Sequence, residues 1–184
     1  MEKKSLIEYL EAIPEFRRAA GLRHRLSHVL LMVIMANMSG CTGYRAIGDF
    51  IARHKEALIT YFEPKKDRLP SFLTVRQVLT RMDYRAFYEA FFQWASQYVE
   101  PESIIAIDGK SIRSTVVNYN NAKQDFVALV SAYCIERGEV ISAQAYQNAA
   151  ESEVAVVQRL LATLDLRGNT YSFDALHCKK KRSK

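Results

Sequence analysis

The hydrophobic spacing changes character at Pro101, and that change constrains the fold more than any other feature of the chain. Ahead of it, apolar residues recur at three- and four-residue steps, the period of an α-helix. Behind it they come in short β-branched runs. Leu26 to Met38 is a strongly apolar helix stopped by Ser39-Gly40, and Gly43 opens the next helix through Ile47, Phe50 and Ile51. Pro64 and Pro70 bracket a polar connector. Thr74-Val75-Arg76-Gln77 reads as a capping box, with Gln77 three residues after Thr74. Asp83 is placed to cap a helix in which Tyr84, Phe87, Phe91, Trp94 and Tyr98 share one face, expected to be buried against the N-terminal helices.

After Pro101 the pattern predicts a strand over Ile104 to Ile107 that ends on Asp108. A second strand spans Phe126 to Ile135, and Glu136-Arg137-Gly138-Glu139 turns the chain into a third over Val140 to Tyr146. Helical spacing returns from Glu151 to Leu164, and Leu166-Arg167-Gly168 stops it. Thr170 to Phe173 is a last short strand, ending on Asp174. The whole reads as an α+β chain: a helical domain over 1–98, then a mixed sheet with a helix on one face over 99–184.

Composition excludes some classes. With 49% hydrophobic and 25% charged residues, a packed core is expected and wholesale disorder is not. The net charge is +6, but residues 179–184 supply five of those charges, so overall basicity argues only weakly for a nucleic-acid partner. Cys41, Cys134 and Cys178 are odd in number and lack metal-ligand spacing, which reads as reduced thiols in a cytoplasmic protein. The N-terminus does not read as a signal peptide, and Val29 to Met38 is too short to span a bilayer, so no membrane partner is expected.

Asp108 and Asp174 share one local setting. Each directly follows a short apolar strand, each precedes a small residue, and a helix lies between the two strands. A right-handed crossover through that helix sets the strands side by side and parallel. Both carboxylates then leave the sheet at the carboxyl ends of the strands, where open sheets place their sites. Neighbouring carboxylates repel unless a cation sits between them, and hard oxygen ligands select Mg²⁺ or Mn²⁺. The plainer alternative is that Asp108 is a turn residue before Gly109 and Asp174 a helix cap.

The run Ala106-Ile107-Asp108-Gly109-Lys110-Ser111-Ile112-Arg113 resembles the first catalytic-acid motif of the H-repeat-associated, ISAs-type insertion-sequence transposases, and Phe173-Asp174-Ala175-Leu176-His177-Cys178 resembles the second. Glu151-Ser152-Glu153-Val154 and Leu164-Asp165-Leu166-Arg167-Gly168 look like the segment that links them, although Ala149-Ala150 stands where the family usually has lysine-containing sequence. Ile13-Pro14-Glu15-Phe16-Arg17-Arg18, Ser39-Gly40-Cys41, Gly48-Asp49-Phe50 and Leu69-Pro70-Ser71 resemble the helical domain that precedes the catalytic one.

The resemblance implies an RNase H-like catalytic domain, here incomplete, and a DDE-type site of two aspartates and a later glutamate holding Mg²⁺ or Mn²⁺. It carries the first two acids onto Asp108 and Asp174. No Glu follows Asp174, so the third is not carried over. The implied function is DNA transposition by metal-dependent strand cleavage and transfer, with the element's terminal repeats and target DNA as partners. Homo-oligomerisation stays open. The rival is a non-catalytic remnant that binds DNA or transposase subunits, and the chain by itself is expected not to cleave DNA. A two-aspartate phosphatase is disfavoured, since no nucleophile motif surrounds either acid.

Basic residues are weighed separately. Lys110 and Arg113 follow the first acid and suit phosphate contact as well as they suit a solvated loop. Arg17, Arg18, Arg23, His24, Arg25 and His28 form a basic run with no acid among them, a candidate DNA contact or a solvated face. His177, Lys179 and Lys180, just past the second acid, are further candidates.

Overall fold

The computed structural model describes residues 3–18, 22–117, 124–164 and 167–174. The chain is mixed α+β and divides into two compact units, Met1–Phe91 and Phe92–Lys184.

The first unit is helical: α1 (Leu6–Glu11), α2 (Leu26–Met38), α3 (Tyr44–Arg53), α4 (Lys55–Phe62) and α5 (Phe72–Arg81). In α1 the Glu8 carboxylate accepts bonds from the backbone N–H and hydroxyl of Ser5, satisfying a donor the first turn would leave orphaned. Buried residues cover more than half of the circumference of α2, among them Leu26, Val29, Leu30, Met32, Val33 and Ala36, as expected of a helix packed among others. The amphipathic α3 adds Ile47, Phe50 and Ile51 to that core, and α5 adds Val75 and Val78. Gly43 precedes α3 at φ 88°, a backbone conformation that costs glycine nothing.

Two expectations need correction here. Thr74 does not open α5; the helix starts at Phe72 with Ser71 as its cap. Pro70 ends the extended connector, and Ser71 holds the N-cap position by its backbone, with no side-chain bond to the first turn. The helix α6 (Tyr84–Ser96) follows Asp83, whose Oδ1 accepts from the Arg85 N–H at 2.9 Å, as a cap should. Its aromatic face, however, is not fully buried. Tyr84 is 48% exposed, Phe87, Phe91 and Trp94 are half-buried, and complete burial falls to Ala90 and Ala95. Ring hydroxyls favour such positions: Tyr84 donates to the Leu79 carbonyl while its ring stays partly in water.

The second unit holds four strands, β1 (Ile104–Ser111), β2 (Val127–Cys134), β3 (Glu139–Gln147) and β4 (Thr170–Phe173), and the helix α7 (Glu153–Leu164). They form one sheet in the order β3-β2-β1-β4. β1 and β2 pair antiparallel, as do β2 and β3, while β1 and β4 are parallel. The β3–α7–β4 crossover is what makes the parallel neighbour possible. Alternation places Ile105 and Ile107 of β1 with Val130, Ala132 and Cys134 of β2 on one face, packed with Val156, Val157, Leu160 and Leu164 of α7. β1 runs past its expected end at Ile107, because its ladder with β2 continues from Ile105↔Cys134 to Ser111↔Ala128. No helix among the described residues is long and apolar enough to cross a membrane.

Candidate functional site

The parallel ladder of β1 and β4 ends at the pair Ile107↔Phe173. The next residue on each strand is acidic, Asp108 on β1 and Asp174 just past β4. Their placement follows from the fold: the apolar β1 lies inside the sheet, and the crossover through α7 brings β4 alongside it, in the same direction, as the outer strand of the order. The two acids therefore stand level with one another just past the last pair of the parallel ladder, Asp108 within β1 and Asp174 beyond the end of β4, and both are exposed.

Strand alternation also sorts the neighbours of Asp108. Ile105 and Ile107 face α7, so Asp108 and Lys110 lie on the opposite face of β1. Lys110 is exposed, as is Arg113 on the 3₁₀ turn Arg113–Thr115 that follows β1. Gly109, between them, meets α7 from the other side. A Cβ there would stand 2.5 Å from the Glu153 Cδ and 2.7 Å from both of its carboxylate oxygens. Glu153 also accepts a long bond from the Tyr146 hydroxyl at 3.5 Å. Burial, helped by the Glu153 charge, pushes the Tyr146 hydroxyl above its ordinary pKa. Glu151 is held by Arg159 through bonds of 2.5 and 2.8 Å.

Among the described residues, no group of three or more His, Cys, Asp or Glu side chains is placed to hold one metal ion. Asp108 and Asp174 alone offer two hard oxygen donors, which suit Mg²⁺ or Mn²⁺ and leave several coordination positions for water or substrate oxygens.

The other candidates are dispersed. Arg17 is half-buried and bound to Glu15 at 2.6 Å, and it also donates to the His24 carbonyl. Arg18, Arg23 and Arg25 are exposed, Arg25 lying 4.0 Å from Glu11. All four lie in the helical unit, whereas Asp108, Asp174, Lys110 and Arg113 lie in the other. His177, Lys179 and Lys180 fall outside the described residues. Two features escaped the sequence: the Gly109–Glu153 contact, and a cluster of Arg45, Lys55 and Arg68 with Arg17 and Arg23 around one cavity. No periodicity links those positions, so only the fold brings them together.

Comparison with known proteins supplies the family. The family model described as DDE_Tnp_1-associated matches residues 7–95. The chain is 31% identical over 183 residues to "H repeat-associated putative transposase YbfD" of Escherichia coli K12, covering 98% of this chain and 70% of that protein. It is 31% identical over 182 residues to "Putative transposase YncI" of E. coli O157:H7 and 30% identical over 183 residues to "H repeat-associated putative transposase YhhI" of E. coli K12. It spans 46% and 47% of those two relatives, about half of their length. No solved structure matches. With 30% identity or more across nearly all its residues, and more than two thirds of YbfD covered, the chain belongs to the family of H repeat-associated transposases.

Proposed function

We propose that this chain acts in DNA transposition, and that Asp108 and Asp174 are two of the carboxylates of a divalent-metal site for cutting and joining DNA strands in an RNase H-like sheet. The observation that carries the reading is the β1–β4 register, which leaves the two acids side by side just past the last pair of the parallel ladder. The strand order β3-β2-β1-β4 with its single crossover helix is compatible with such a sheet. When bound, Mg²⁺ or Mn²⁺ would supply the Lewis acid that activates water and stabilises the leaving oxygen at a phosphodiester. The chain's own residues have simpler tasks. Asp108 and Asp174 hold the ion through hard oxygens. Lys110, two residues along the same strand face, and Arg113 on the following turn offer cations to the scissile phosphate's neighbours.

A second reading is favoured by one observation: among the described residues, no third Asp, Glu, His or Cys joins Asp108 and Asp174 in a metal-holding group. Two carboxylates hold two ions in register poorly, so the chain by itself would bind DNA without cutting it. The test is a nicking and strand-transfer assay on duplexes carrying the element's terminal repeats, in Mg²⁺ and in Mn²⁺, beside a gel shift. Cleavage lost in Asp108→Asn and in Asp174→Asn supports the catalytic reading. Binding without cleavage supports the second. Cleavage that survives both substitutions sinks the assignment of the two acids.

A further inference from the structure

The helical unit contains a cavity of about 960 Å³, lined by residues of α3 and α5, by Lys55 of α4, by Arg17, Arg23 and His24, and by the segment Asp67–Ser71. Its charge is one-sided. Arg17, Arg23, Arg45, Lys55 and Arg68 line it, opposed by Asp49 and Asp67. These cations come from separate stretches of the chain and are gathered only by folding. Arg17 is ion-paired with Glu15, whereas Arg23, Arg45, Lys55 and Arg68 have no ion pair among the described residues. Grouped cations in a concave surface repel one another and focus a positive potential into it.

Arg17 and His24 belong to the same lining. Arg17 donates through its other nitrogens to Glu15 and to the His24 carbonyl, yet its Nη1 is buried and finds no acceptor among the described residues. His24 is held below its ordinary pKa first by burial and then by the neighbouring charges of Arg17 and Arg23. A smaller hollow of about 540 Å³ shares Arg45 and Phe72 with the cavity and extends the basic surface to Arg76.

We infer that this cavity is a phosphate-binding site that takes the backbone of duplex DNA, separate from Lys110 and Arg113 in the other unit. Its volume lies at the upper end of small-molecule pockets, roughly 300–1,000 Å³, and far exceeds what one phosphate fills. Exposed arginines and a lysine on several elements suit a run of phosphates, because such contacts position a duplex without reading its sequence. The inference rests on the reading above that the chain binds DNA.

The test is fluorescence anisotropy of a labelled duplex across a salt titration, with the full chain. The variants are Arg23→Ala with Arg68→Ala, and Arg45→Ala with Lys55→Ala. All four side chains are exposed, so the fold survives, which circular dichroism checks. Each double variant is expected to bind roughly tenfold more weakly, and to flatten the log K against log salt slope by about 0.9 per phosphate contact removed. Arg53→Ala with Arg81→Ala removes the same charge from α3 and α5 outside the cavity and leaves the slope in place. Arg23→Lys with Arg68→Lys restores it. If the wild type binds duplex and the cavity variants match the Arg53, Arg81 control, the cavity assignment falls and DNA binding stands. If the wild type binds no duplex, both fall together. If inorganic phosphate stabilises the wild type but not the cavity variants, while duplex binding is the same in all, the site serves a free anion and the inference is overturned.

Discussion

Gly48 of α3 sits so close to Phe72, the first residue of α5, that a methyl group on it would stand 2.7 Å from the Phe72 Cβ and 3.2 Å from its Cα. In an exposed helix, Gly→Ala stabilises by about 1 kcal/mol. Here the methyl would have to displace backbone, and overpacking of that kind costs about 1–3 kcal/mol. Gly48→Ala is therefore expected to gain nothing and to lose up to about 2 kcal/mol in urea denaturation, the balance of the two effects. A gain in stability would show that α3 and α5 do not approach as described.

Gly109→Ala has a different outcome, because the obstruction is the end of a side chain. The new methyl would meet the Glu153 carboxylate, which can swing aside. The expected loss is under about 1.5 kcal/mol. In a double-mutant cycle with Glu153→Ala most of that loss disappears, giving a coupling of roughly 0.5–1 kcal/mol. Strict additivity of the two changes would mean that Glu153 does not lie over β1.

The pH dependence of stability between about 6.5 and 5 is expected to carry a histidine signature. His24 is held below its ordinary pKa by burial, Arg17 and Arg23, and His28 by burial and Arg25, with Glu11 opposing. A depressed histidine binds its proton more readily in the unfolded chain. Stability is thus unaffected above the unfolded pKa near 6.5 and falls as pH drops from there towards the folded value. Replacing both with Gln should flatten this part of the curve in denaturant melts at stepped pH. An unchanged slope would mean that neither is depressed.

Much of this architecture was legible in the sequence, for physical reasons that also mark where legibility stopped. α2 and β4 begin and end at the predicted residues, because Ser39-Gly40 and Gly168 are unambiguous stops for strongly patterned segments. The parallel pairing of β1 with β4 followed from the chirality of one crossover. β1 was read four residues short, since Gly109, Lys110 and Ser111 look like a turn and are held in the strand only by β2. Thr74 looked like a cap because its sequence context fits one, yet Ser71 came first. The aromatic stripe of α6 has the spacing of a core face, but spacing does not report how much surface awaits it, and Ala90 and Ala95 are the residues that reach full burial. The two acids stand out because each follows a patterned strand. The basic cavity is legible only in part: Arg17 and Arg23 lie in one basic run, but Arg45, Lys55 and Arg68 share no period with it.

The most direct measurement of the central claim is Mn²⁺ binding, followed by electron paramagnetic resonance or calorimetry, to the wild type and to the Asp108→Asn and Asp174→Asn variants. Carboxylates level with one another on adjacent parallel strands should share an ion. The account predicts saturable binding to the wild type, weakened at least about tenfold by either substitution, with little further loss in the double variant because both acids serve one ion. Binding that is the same in all four proteins, or loss in one single variant with none in the other, would contradict it.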